Sequence, residues 1–184
     1  MKRALVSLAT VIVLTGCQSN KLTEVNGNGA VLFPVTIDYK SVFSYPCRTI
    51  SFELDNVEYS FNIDVEKQED LLGGYERHFG YGLISDIPPG DYLVNEVRCY
   101  AHSGKIFNGG KSYLPFRVFL DFEVKPNTIT VDNTGISGDA IQESDGSRSF
   151  DFNWYEQSNE FQDRAIEQLK QSQQNISGWS IIKE

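Results

Sequence analysis

Five apolar residues, Val57, Tyr59, Phe61, Ile63 and Val65, alternate with Glu58, Ser60, Asn62, Asp64 and Glu66 without a fault. Only an extended chain sends alternate side chains to opposite faces, so the stretch reads as a strand with one dry and one wet side. A helix would scatter the same apolar residues around its circumference. Just before it, Ile50, Phe52 and Leu54 alternate with Ser51 and Glu53, and Asp55-Asn56 separates the two runs. A two-residue hairpin turn needs positive φ, which Asp and Asn tolerate, so the pair predicts a tight hairpin.

The same period marks further strands at 31–39, 79–85, 91–100, 116–125, 128–131 and 149–154. Phe116, Val118, Leu120, Phe122 and Val124 oppose Arg117, Asp121, Glu123 and Lys125, while Phe150, Phe152 and Trp154 oppose Asp151 and Asn153. Each strand has one face to bury, and stacking two sheets buries them all. The expected fold is therefore mainly β, an antiparallel β-sandwich. Near the end the period changes. Over 156–173, which contains neither Gly nor Pro, Phe161, Ala165, Ile166 and Leu169 recur at spacings of three and four, predicting one C-terminal amphipathic helix. Its stripe suits packing across a sheet or docking a partner. In the tail that follows, Gly178 ends any helix, and Trp179, Ile181 and Ile182 are available as anchors.

At the other end, Met1-Lys2-Arg3 precedes an apolar run over 4–14 and then Leu14-Thr15-Gly16-Cys17. The run is shorter than the about 20 residues a membrane span needs. Charge, apolar core and lipobox in this order resemble the signal of bacterial lipoproteins. The resemblance implies that 1–16 is a signal peptide and that Cys17 becomes the lipidated first residue of the mature chain. Several acyl chains hold a membrane far more firmly than one. Gly16 also suits an ordinary signal peptidase, although a Cys directly after Leu-Thr-Gly favours lipidation. Gln18 and Ser19 resemble the residues that send Gram-negative lipoproteins to the outer membrane, which implies an anchor there facing the periplasm. Residues 18–29 are polar, rich in Asn and Gly and without period, so 17–29 reads as the lipidated Cys and a flexible tether, with the sandwich domain and its helix at 30–184.

With Cys17 assigned to lipid, Cys47 and Cys99 remain as a pair in an oxidising compartment, and a disulfide is expected; two buried free thiols are the alternative. Two Cys without His at zinc-site spacing cannot supply four metal ligands. The chain carries 16 basic and 25 acidic residues, a net charge of −9, and loss of Lys2 and Arg3 makes it more negative. Phosphate backbones repel such a protein, so nucleic acid is not an expected partner.

Asn108-Gly109-Gly110-Lys111-Ser112 looks like the end of a phosphate-binding loop, but the first Gly of that motif would fall on Lys105, and a turn is expected instead. His78 and His102 are the only histidines. No nucleophile elbow, His-Glu-x-x-His helix or Cys-His pairing accompanies them, so both are expected at the surface and no catalysis is predicted. Asp139, Glu143, Asp145 and Asp151 lack the spacing of a calcium loop and read as a solvated acidic loop. Neither a metal nor a cofactor is expected. Two stretches rich in Gly and aromatic residues hold Tyr75, His78, Phe79 and Tyr81, and Tyr100, His102, Phe107 and Tyr113. These eight form a candidate ligand-binding surface if the stretches meet; core filling is the plainer use of the aromatic rings.

Leu83-Ile84-Ser85-Asp86-Ile87-Pro88-Pro89-Gly90-Asp91-Tyr92-Leu93-Val94 resembles the strand, Pro-Pro-Gly turn and Tyr-strand crossing of transthyretin-like and carboxypeptidase-regulatory-like sandwich domains. The two prolines stop one strand and Gly90 permits the turn. Phe122-Glu123-Val124-Lys125-Pro126-Asn127-Thr128-Ile129-Thr130 is similar to an element of uncharacterised bacterial lipoproteins with this type of domain, with Asn127 where Gly is usual. These resemblances imply a transthyretin-like or immunoglobulin-like sandwich and no known catalysis. The expected function is that of a membrane-anchored envelope lipoprotein serving as a non-catalytic binding or accessory module for an envelope protein partner. A ligand or glycan binder using the aromatic loops is the alternative, and an envelope hydrolase a third.

Overall fold

The computed structural model describes residues 21–42, 44–102 and 106–184, among which the chain forms twelve strands and one helix. β1 (Gly29–Lys40) lies inside the larger sheet and β2 (Cys47–Leu54) inside the smaller. β2 pairs with β3 (Val57–Asn62) across the Asp55-Asn56 turn, whose φ values of 49° and 64° are the positive ones the hairpin requires. β4 (Asp64–Leu71), β5 (Tyr75–Ile87), β6 (Gly90–Ala101) and β7 (Tyr113–Val124) follow. The smaller sheet has the order β3-β2-β6-β7 and is antiparallel throughout. β8 (Thr128–Val131), β9 (Thr134–Gln142), β10 (Arg148–Phe150), β11 (Asn153–Glu156) and β12 (Ser180–Lys183) join β1, β5 and β4 in the larger one.

The sandwich expected from the alternation is present, with two additions. First, the larger sheet is mixed: β1 runs parallel to β8 and β9, and β12 parallel to β8. Parallel neighbours need a long crossover, and here strands of both sheets intervene between β1 and β8. Second, the faultless run beginning at Val57 is two strands. β3 ends at Asn62 in the smaller sheet, and β4 starts at Asp64 in the larger. Ile63 sits between them, 4% exposed, its amide donating to the Arg48 carbonyl at 2.8 Å. The chain stays extended as it crosses, so the period carries no trace of the change of sheet.

Between the sheets, Phe33 is fully buried and its ring lies 5.1–6.2 Å from those of Phe52, Phe61, Phe122 and Trp154. Gly82 makes room for Phe61, because a Cβ there would come within 2.2 Å of the ring. The opposite face of the larger sheet carries α1 (Asn159–Ser172), which starts where the Ser158 hydroxyl accepts from the Phe161 amide. Ala165 and Leu169 bury against Leu32, Leu83, Ile129 and Val131, forming a second core. The helix thus packs across a sheet, the first of its two expected uses. The tail is pinned as β12, with Trp179 buried beside it.

The described part of the expected tether is also docked. Leu22 is 4% exposed and its amide donates to Gln173 Oε1 at 2.9 Å, while the Ser85 hydroxyl donates to the Lys21 carbonyl and the Trp179 indole to that of Thr23. Asn26 and Asn28 both donate to Asp86. Residues 1–16, Cys17, Gln18, Ser19 and Lys105 lie outside the described residues.

Cys47 and Cys99 form the expected disulfide between β2 and β6, with their Cα atoms 5.3 Å apart and both residues buried. The bridge spans 52 residues, for which loop-closure entropy gives an upper figure of about 4 kcal/mol. Replacing both cysteines by Ala should lower the unfolding free energy by up to that amount in urea titrations, and a variant as stable as the parent would remove the bridge from the stability argument.

One buried carboxyl sets a pH dependence. Asp132, between β8 and β9, is 1% exposed; Oδ1 accepts from the amide and hydroxyl of Thr134 at 2.7 Å, and Oδ2 has no partner among the described residues. Burial pushes its pKa up to about 6, the Thr134 hydrogen bonds hold it down, and the carboxylates of Glu184 and Asp121 add to the rise. The folded chain therefore binds a proton that the unfolded chain has released between about pH 4 and 6, and folding weakens as pH rises through that window. The effect of this group is about 3 kcal/mol. Denaturation curves should show Asp132 favouring the folded state as pH falls from 7 to 5, and Asp132→Asn should flatten that gain; equal slopes for parent and variant would contradict the assignment.

Candidate functional site

The eight residues of the candidate ligand-binding surface are divided among several places. β5 begins at Tyr75, so Tyr75, His78, Phe79 and Tyr81 belong to a strand and alternate between its faces. Phe79 is 3% exposed beneath α1, 5.0 Å from the Phe161 ring and with the Arg164 guanidinium 4.5 Å from its centre. The Tyr81 hydroxyl hydrogen-bonds Ser172 and accepts from Gln173 Nε2 at 3.2 Å. Tyr75 lies under the Lys40 ammonium at 4.9 Å. His78 is not the surface residue expected: it faces the other way, 4.5 Å from the Tyr39 ring, with Nε2 buried and 3.6 Å from the Glu76 carboxylate. The period of the strand turns it inward.

On the smaller sheet, Tyr100 and Tyr113 are cross-strand neighbours with rings 5.3 Å apart, and Arg98 lies 5.9 Å from the Tyr113 ring. Phe107 is buried and stacks on Phe150 at 5.9 Å; His102 follows β6 and is half-buried. The Gly109-Gly110 segment is the expected turn, with φ of 86° and 77°. Of the expected acidic loop, the part around Gly146 turns as a loop, where Asp145 accepts from Ser147, and Asp151 lies between β10 and β11; the Asp145 pKa is lowered by the side-chain and backbone hydrogen bonds of Ser147. Asp139 instead belongs to β9, its amide donating to the Asp151 carboxylate, and burial followed by the Asp151 charge raises its pKa.

Two of the eight residues meet at a cleft of about 890 Å³ between the C-terminal end of α1 and the start of β4. Phe79 and Tyr81 form its floor. One wall is the helix end, with Gln168, Gln171 and Ser172, continued by Gln173, Gln174 and Asn175; the facing wall is Arg48, Asn62, Asp64 and Glu66, and Lys21 and Leu22 close the rim. Several lining groups are held in place. Arg48 Nη1 donates to the Ile63 carbonyl at 3.2 Å, Asn62 Oδ1 accepts from Thr49 at 2.7 Å, and Gln168 Nε2 donates to the Phe79 carbonyl at 3.3 Å. Lys21 and Arg48 balance Asp64 and Glu66 in formal charge.

Beside the cleft, ion pairs stitch the helix and the edge strand to the sheet. Arg164 reaches Glu69 at 3.0 Å and Glu160 at 2.7 Å, Arg77 grips Asp38 through two hydrogen bonds, and Lys67 bonds Glu76 at 2.7 Å. The Lys67 hydrogen bond holds the Glu76 pKa down. Among the described residues no three His, Cys, Asp or Glu side chains converge as a metal site, and no helix is long and apolar enough to cross a membrane. The cleft offers hydrogen-bonding groups from many directions.

Sequence reasoning missed most of this cleft. Arg48, Asn62 and Asp64 sit in ordinary strand positions, and only the fold brings them to the helix end. One signal was available: the stretch 168–175 holds five carboxamides, Gln168, Gln171, Gln173, Gln174 and Asn175, a density beyond what a solvated helix end needs.

No family model matches the chain, and no curated protein matches it. Among solved structures, part of the chain is similar to a leucine-rich repeat protein from Bacteroides thetaiotaomicron VPI-5482, with 18% identity and a TM-score of 0.30 over 57% of this chain and 13% of that one.

Proposed function

We propose that the protein is an envelope lipoprotein, anchored in the periplasmic leaflet of the outer membrane through acylated Cys17 and serving as a non-catalytic binding or accessory module. The observation that carries the reading is the docking of residues 21–29. Cys17 is four residues from Lys21, a reach of at most about 14 Å. Lys21 and Leu22 are themselves bonded to the domain and form the rim of the cleft. An acyl anchor at Cys17 would therefore hold the domain close to the headgroups with its cleft near them. The reading extends to a transthyretin-like relationship for the sandwich. Its support is the Pro88-Pro89-Gly90 connection between β5 and β6, braced by the Tyr92 hydroxyl donating to the Pro88 carbonyl at 2.8 Å.

Cys17→Ser should leave a folded protein that no longer fractionates with membranes. If that variant still sediments with membranes after a high-salt wash, the lipid anchor is wrong. Crosslinking in intact cells should yield a discrete envelope partner for the parent, and its absence would overturn the accessory role.

A further inference from the structure

The cleft is unusual in its chemistry. Asn62, Gln168, Gln171, Gln173, Gln174 and Asn175 all line it, and a carboxamide presents two donors and an acceptor in one plane. Vicinal sugar hydroxyls, each a donor and an acceptor, complement such a group. The charged side chains come two of each sign, Lys21 and Arg48 against Asp64 and Glu66, so neither an anion nor a cation is favoured by net charge. Of its apolar side chains, Leu22 and Phe79 are almost fully buried by their own neighbours and offer little to an acyl chain or an apolar side chain, while the half-buried Tyr81 presents a ring that a sugar face can cover. An extended peptide has no ready edge here either, because β4 carries the register shift and the Lys67 charge that discourage strand addition.

The polar groups fall into two sets. Asn62, Gln168 and Gln173 are fixed by hydrogen bonds to Thr49, Phe79 and Leu22, and the Gln168 carbonyl oxygen still has no partner among the described residues. Gln171, Gln174 and Asn175 are exposed around them. A preorganised inner set with an adaptable outer one lowers the ordering cost of binding a polar ligand.

From this geometry we infer that the cleft is a binding site for an uncharged, hydroxyl-rich ligand, a neutral oligosaccharide. The inference rests on the reading of the domain as a binding module and names the class of ligand it takes; it does not require the anchor.

The test uses the full-length protein in a detergent without a sugar headgroup, applied to an array of neutral and acidic oligosaccharides and short peptides. Calorimetry with the neutral oligosaccharide best retained then measures affinity. At least one neutral oligosaccharide should bind, and Gln171→Ala with Gln174→Ala should weaken it at least tenfold without changing the melting temperature, since both side chains are exposed. Tyr113→Ala, on the other sheet, should leave binding unchanged. Retention of acidic glycans or peptides alone, retention of nothing, or binding indifferent to the double substitution overturns the proposal. Failure of the anchor would show separately: oligosaccharide binding by a protein whose membrane association ignores Cys17→Ser would leave the cleft assignment intact.

Discussion

From Gly29 to Ile37, β1 is buried on both faces, and both cores are organised around it. Val31, Phe33, Val35 and Ile37 point between the sheets, while Ala30 and Leu32 point toward α1. An apolar strand buried on both sides gains far more from burial than an edge strand. It can do so only when β5 lies along one flank, β8 and β9 along the other, and a layer covers each face. Segments as far apart as β1 and β9 therefore pair directly, and pairings so distant in sequence form slowly.

Much of the fold could be read from single residues because their causes are local. Asp55 and Asn56 turn where positive φ is needed, the Phe and Tyr residues at period two fill the space between sheets, and Ala165 and Leu169 mark the buried stripe of the helix. The failures have nonlocal causes. The crossing at Ile63 is invisible because the chain alternates through it. β9 escaped notice because Thr134-Gly135-Ile136-Ser137-Gly138 lacks an alternating pattern, yet a Cβ on Gly138 would collide with the Tyr45 hydroxyl and the Asp151 carbonyl. The residue that conceals the strand is the one its neighbours require. β12 pairs with β8 in parallel, a partnership no short stretch announces. The cleft draws on residues from 21 to 175, so its ingredients were visible only as an excess of carboxamides after Glu167.

The ion pairs around α1 act differently from the burial beneath it. Arg164, Glu69 and Glu160 are partly exposed, and pairs of that kind contribute little to stability. What holds the helix is Ala165 and Leu169 in the second core; Arg164, reaching both its own helix and β4, favours one rotation of the helix over its neighbours. That rotation turns Gln168 and Gln171 toward the cleft.

The docking of residues 21–23 also makes the molecule mechanically directional. Tension arriving along the chain ahead of Lys21 meets first the hydrogen bonds from Leu22 to Gln173, Ser85 to Lys21 and Trp179 to Thr23, well before it loads the sheet at β1. The bond from Leu22 to Gln173 joins two residues that line the cleft, so a pull on the leading chain is felt at the cleft early. Conversely, a ligand that tightens the grip of Gln173 on Leu22 stiffens the link through which the domain is held.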